Sequence, residues 1–202
     1  QSGFANSYPV TLAEDGARHT YAGATLGPQI DFEADGTHSA NANSDDTTGS
    51  PDDEDGDTFT TTLIAFSTGT ATGSVDVDLQ DPDGTSNLLD AWIDFNQDGD
   101  WDDLGEQIFT SIDLGTSAGV QTLNFTIPQD TGANVVSGTT YARFRLSIGG
   151  GLAPTGAAPD GEVEDHPVTV ATVSPGVTIT ESGGTTNITE GGVTDTYDIS
   201  LN

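Results

Sequence analysis

Neither cysteine nor lysine occurs among the 202 residues. The absence of cysteine excludes disulfides and thiolate metal sites, and leaves cytosol and cell exterior equally open. The absence of lysine leaves Arg18, Arg143 and Arg145 as the only cations against 33 Asp and Glu, a formal net charge of −30. Nucleic-acid binding needs Lys and Arg to neutralise phosphates, and an anionic membrane surface repels a chain of this sign. The expectation is no nucleic-acid partner and no membrane insertion in this segment. Long apolar runs are missing too: none approaches the roughly 20 residues of a membrane span, and Gln1 opens without a basic or apolar leader. With no initiator Met, the chain reads as a piece of a longer protein.

Leu, Ile, Val and Phe number 42, just over a fifth of the chain. High net charge at that apolar content borders on disorder. Period-two apolar segments argue that the chain folds, so something must offset the repulsion between carboxylates. Bound divalent cations would do so. Halophilic salt screening would serve as well, but the acids cluster at ligand spacing, which favours calcium.

Alternating segments over 60–66, 74–79, 88–95, 106–111, 121–127, 141–147 and 162–170 read as strands separated by turns such as Asp81-Pro82-Asp83-Gly84. In 88–95, Leu89, Ala91, Ile93 and Phe95 take one face, and Asp90, Trp92 and Asp94 the other. In 141–147, Ala142, Phe144 and Leu146 point to the core, while Tyr141, Arg143 and Arg145 share the outer face. No segment sustains a 3.6-residue period with caps. The reading is all-β: an antiparallel, jelly-roll-like β-sandwich with long calcium-organised loops. Residues 1–58 have loop composition, and 149–161 reads as a mobile Gly-rich loop. Residues 1–172 form the expected main domain, 173–176 a linker, and 177–202 the first hairpin of a further repeat.

The most specific motif is Asp94-Phe95-Asn96-Gln97-Asp98-Gly99-Asp100-Trp101-Asp102-Asp103-Leu104-Gly105-Glu106. Oxygen-bearing side chains at alternate positions followed by a turn glycine are the ligand pattern of a Ca²⁺ loop. A strand precedes it where an EF-hand has a helix, and the closing Glu comes one place late. The candidate ligands are Asp94, Asn96, Asp98 and Asp100, with Asp102 or Glu106 closing the shell. Residues 31–57 hold a second acidic concentration, from which Glu33, Asp35, Asp45, Asp46, Asp52, Asp53 and Asp55 are candidate ligands.

Arg143 and Arg145 are expected to hold acidic loops over the sheet through Arg–carboxylate pairs. Trp92 and Trp101 flank the calcium loop. Exposed, they and Tyr141 would suit sugar stacking; covered by the N-terminal segment, they would be core. Gly115-Thr116-Ser117-Ala118-Gly119 matches a nucleophile-elbow pattern but lies between two strands, so it reads as a turn and the protein as no enzyme. His19, His38 and His166 are too scattered for a zinc assignment, and the oxygen-rich ligand set favours calcium.

The motifs Trp92-Ile93-Asp94-Phe95-Asn96, Gly105-Glu106-Gln107-Ile108-Phe109, Tyr141-Ala142-Arg143-Phe144-Arg145-Leu146-Ser147 and Gly161-Glu162-Val163-Glu164-Asp165, in this order, resemble the GEVED domain, and Gly16-Ala17-Arg18-His19 and Asp52-Asp53-Glu54-Asp55-Gly56 resemble its N-terminal half, so that the resemblance spans roughly residues 8–171. That module belongs to large secreted and cell-surface bacterial proteins. Its members often carry an aromatic or Gly where this chain has His166. The tail from Val177, with Glu181-Ser182-Gly183-Gly184 and Thr189-Glu190-Gly191-Gly192, resembles the opening of a Calx-β-like adhesin repeat. The resemblance implies a secreted or surface location, neighbouring adhesin repeats, and Glu162, Glu164 and Asp165 as further calcium ligands. Two functions are expected from it: a non-catalytic calcium-binding adhesin module that attaches to a glycan or protein ligand, or a calcium-dependent carbohydrate-binding module.

Overall fold

A computed structural model gives the fold and describes residues 8–30, 34–39, 42, 54–173, 177–181 and 197–201, the last two as backbone strands. Short strands come first: β1 (Arg18–His19), β2 (Thr25–Leu26), β3 (Asp57–Phe59) and β4 (Leu63–Phe66). The long strands follow as β5 (Ala71–Gln80), β6 (Leu88–Ile93), β7 (Gln107–Asp113), β8 (Gly119–Ile127) and β9 (Gly138–Ser147). After β10 (Ala157–Ala158) and β11 (Glu162–Val173), β12 (Val177–Glu181) and β13 (Tyr197–Leu201) pair with each other. A single 3-10 turn, Leu12–Glu14, is the one helical element among the described residues.

Two sheets form the sandwich. One has the order β4-β11-β9-β6-β7; in the other, β5 pairs with β8 and with both β2 and β3. Pairing is antiparallel except between β4 and β11 and between β1 and β10. Those parallel pairs join segments far apart in sequence, where no hairpin turn fixes direction, so strand periodicity alone does not reveal them.

The period-two pattern places the core as expected. Val75, Val77 and Leu79 of β5 face Leu89, Ala91 and Ile93 of β6 and Ala142, Phe144 and Leu146 of β9 in one buried cluster. Phe125 is met edge-on by Phe109 from the opposite sheet and by Phe59 from its own. Leu26, in a segment of loop composition, is fully buried in the same core.

At β6 and β9 the outer face of the larger sheet is not open to solvent. Asp90, Trp92, Tyr141, Arg143 and Arg145 are all at most 3% exposed. The N-terminal segment covers one part: Tyr8 packs on Trp101 and Tyr141, with ring centroids 4.7 and 5.1 Å away. Residues 152–156 cover another. They are pinned there by Arg145, which donates to the carbonyls of Ala153, Thr155 and Gly156 at 2.6–2.9 Å. Asp90 sits at a bulge where two residues of β7 oppose one of β6. Its carboxylate accepts from the Ser111 and Leu152 amides and so ties the covering segment to the strand edge. Thus the stretch expected to be a mobile loop is a fastened cover. At its end Gly161, at φ +78°, passes so close to β9 that a Cβ would lie 2.0 Å from the Leu146 carbonyl oxygen.

Candidate metal centre

The acidic loop begins where β6 ends. Asp94 is fully buried, and its carboxylate is used from within the loop: Oδ1 accepts from the Gln97 amide at 2.6 Å and Oδ2 from the Gly99 amide at 3.1 Å. Positive φ at Gln97 and Gly99 makes this tight return possible. Asn96 Oδ1 accepts from the Asp98 amide, Asp98 Oδ1 from the Asp100 amide, and Asp100 Oδ1 from the Asp102 amide. The alternate Asx residues therefore shape the turn before any cation is considered. Asn96 Nδ2 donates to Asp98 at 3.1 Å and to Asp103 at 2.5 Å, drawing the two carboxylates together.

The result is a trio. One oxygen each of Asp98, Asp100 and Asp103 lie within 4.8 Å of one another. Behind it stand Asp94 and Glu106, both buried. Glu106 accepts from the Phe95 and Asp103 amides, which orients the loop end. Burial, reinforced by the negative charge of Asp94, pushes Glu106 up to about 8. Burial also raises Asp94, against the opposing pull of its bonds to Tyr8, Gly99 and Gln97. An oxygen-only set backed by two buried carboxylates fits a hard cation.

A second cluster lies inside the sandwich. The alternation that buries Val168 and Val170 of β11 also turns Glu162 and Glu164 inward; they are 5% and 1% exposed. His166, two residues on, shares their face. Glu162 Oε2 accepts from the Leu26 amide at 2.6 Å and Glu164 Oε1 from the Gly56 amide at 3.1 Å. Asp57, from β3 in the opposite sheet, brings Oδ1 to 2.7 Å from His166 Nε2, and Glu164 Oε2 lies 3.2 Å from the same nitrogen. Burial would lower the His166 pKa, but the carboxylates of Asp57 and Glu164 outweigh it and hold the ring well above its ordinary value. Glu164 is raised, chiefly by burial and further by the charge of Asp57.

The sequence candidates are distributed unevenly over this geometry. Asp98 and Asp100 meet in the trio, with Asp94, Asn96 and Glu106 behind and beside it. Asp102 is exposed and stands outside, and its place is taken by Asp103, which the reading by alternate positions passed over. Asp35 accepts from the Leu12 amide at the N-terminal turn, and Asp55 from Gln29. Glu33, Asp45, Asp46, Asp52 and Asp53 lie outside the described residues. Asp165 faces away from Glu164 and is gripped by Arg143 at 2.7 and 2.6 Å, so it serves an ion pair and not a cation shell. Trp92, Trp101 and Tyr141 are core residues and offer no face for sugar stacking. The members missed in the sequence were Asp103, Asp57 and His166. For His166 the signal was present, since Glu162, Glu164 and His166 are spaced i, i+2, i+4 along one strand.

Residues 88–169 match the family model of the GEVED domain, the later part of the span over which the motifs resemble it. No curated protein matches the chain. Among solved structures, a CARDB domain from Pyrococcus furiosus, crystallised in complex with di-metal ions, aligns with 58% of this chain and 90% of its own at 12% identity and a TM-score of 0.31. That likeness is too distant to carry an argument here.

Proposed function

We propose that this chain, with its match to the GEVED domain over residues 88–169, is a non-catalytic calcium-binding module of a large secreted or surface-anchored bacterial adhesin. The observation that carries the reading is the convergence of Asp98, Asp100 and Asp103, on a loop whose first residue is bonded to the N-terminal segment through Tyr8. Calcium held by these carboxylates would neutralise one of the acidic concentrations of a −30 chain. It would also lock the loop against the segment that roofs the sheet. Metal binding then becomes mechanical stiffness, the property a link between adhesin repeats needs.

Attachment to an extracellular glycan or protein ligand, and pairing with neighbouring repeats, belong to the same proposal. Burial of Trp92, Trp101 and Tyr141 removes the aromatic platform on which a carbohydrate-binding module would depend. Ser117, in the exposed turn between β7 and β8, lacks the strand-to-helix setting of a nucleophile elbow. The test is thermal unfolding in calcium and in chelator. The midpoint is expected to fall by several degrees without calcium, and an unchanged midpoint sinks the reading.

A further inference from the structure

We propose that Asp57, Glu164 and His166 form a second metal site, specific for a divalent transition cation of the zinc type, which clamps the two sheets of the sandwich together. Their ligand atoms lie within 4.8 Å of one another, and β3 and β11 contribute them from opposite sheets. The positions face the core: in register, Glu164 sits beside Phe144 and His166 beside Ala142, both apolar core residues. An ordinary sandwich would place Val or Leu there.

The independent sign of a ligand is Asp57. Its side chain is completely shielded from solvent, yet neither oxygen accepts a hydrogen bond. Oδ1 is 2.7 Å from His166 Nε2, at ion-pair distance without hydrogen-bond alignment. A buried carboxylate with an oxygen that no donor meets costs free energy unless a further positive group reaches it. Two carboxylates and a neutral imidazole around a divalent cation give a neutral site.

The donor set selects the cation. An imidazole nitrogen with two carboxylate oxygens suits zinc and its first-row neighbours, whereas calcium takes oxygen alone. A tetrahedral shell with bonds of 2.0–2.1 Å sets its ligand atoms about 3.3 Å apart. The 3.2 Å spacing of Glu164 and His166 already meets this, and the 2.7 Å spacing of Asp57 and His166 needs to open by about half an ångström. The Gly56 amide holds the other oxygen of Glu164, leaving Oε2 for the cation, and the ring of Phe144 flanks the imidazole edge-on. His166 keeps 14% of its side chain exposed, which provides an entry path.

The test uses the full chain, stripped of metal and returned to excess calcium, so that it runs independently of the acidic loop. Cobalt(II) serves as the probe. One equivalent is expected to bind with a visible d–d band, and zinc is expected to displace it. His166→Gln should abolish the band and weaken cobalt binding at least about tenfold, while Asp103→Asn should leave both unchanged. Zinc-edge X-ray absorption on the unaltered protein should find one imidazole nitrogen among oxygen donors, a readout that does not require the variant to fold. The proposal is overturned if the unaltered chain binds no cobalt in excess calcium, if His166→Gln binds it equally well, or if the zinc shell contains no imidazole.

Discussion

The hydroxyl of Tyr8 donates to the carboxylate of Asp94, joining residues 86 positions apart. One belongs to the segment that roofs the larger sheet, the other opens the acidic loop. Thr140 lies 3.3 Å from the same hydroxyl and bonds the Asp94 carbonyl at 2.6 Å, so the junction is held from the sheet side as well.

Removing that hydroxyl therefore has two consequences. Tyr8→Phe keeps the ring packed on Trp101 but deprives a buried carboxylate of a donor, and is expected to lower stability by about 1.5–3 kcal/mol. Urea denaturation measures the loss. Calcium titration of the same variant should show weaker binding, because the loop loses its anchor.

The acidic loop makes an internal comparison possible. Asp103 belongs to the carboxylate trio and Asp102, its neighbour, does not. Asp103→Asn is expected to weaken calcium binding at least about tenfold, and Asp102→Asn less than about twofold, since affinity follows the charge of the ligands themselves. Isothermal titration of the two variants checks this, and equal effects would count against the trio.

The arginines should behave just as unequally. Arg143 is buried, grips Asp165 with two nitrogens, donates to the carbonyls of Pro9 and Pro154, and lies 4.4 Å over the ring of Trp101. Lysine cannot reproduce that fork or the stacking. Arg143→Lys is expected to cost about 1.5–3 kcal/mol. Arg18, in an exposed pair with Asp15, should tolerate the same change within about 0.5 kcal/mol. Paired denaturation curves decide it.

His19 gives the fold a defined pH response. Burial, with help from the charge of Arg145, lowers it to about 4, and the ring is held neutral: it accepts from Arg145 Nε, and Nδ1 donates to the Asp160 carbonyl. Between about 6.5 and 4 the unfolded chain takes up a proton that the folded one refuses. Stability from this residue is then complete above about pH 6.5 and falls as pH drops toward 4, by a total of about 3 kcal/mol. His19→Gln should flatten the slope of stability against pH in that interval. An unchanged slope would show that the ring is not held neutral.

Much of the sandwich was legible because side-chain alternation is a local property. Leu89, Ala91, Ile93 and Phe95 announced their face, as did Ala142, Phe144 and Leu146, and each lies in the core. The trio was legible in part for the same reason: Asx residues two apart fold back on their own amides, so Asp98 and Asp100 converge from local geometry alone. Asp103 was not, since it enters the trio through the turn at Leu104 and Gly105 and the amide of Asn96.

The sequence by itself determined the all-β class, the turn of the acidic loop and the strand faces, because period-two patterning and turn chemistry act within a few residues. Only the tertiary structure decided that the outer face is roofed, that Trp92, Trp101 and Tyr141 are core, and that Arg143 and Arg145 are buried fasteners. Alternation marks which side of a sheet a residue takes, but not what later covers that side. The same holds for the cluster of Asp57, Glu164 and His166. Its members come from two strands in two sheets, more than 100 residues apart, and only the packing of one sheet on the other brings their ligand atoms together.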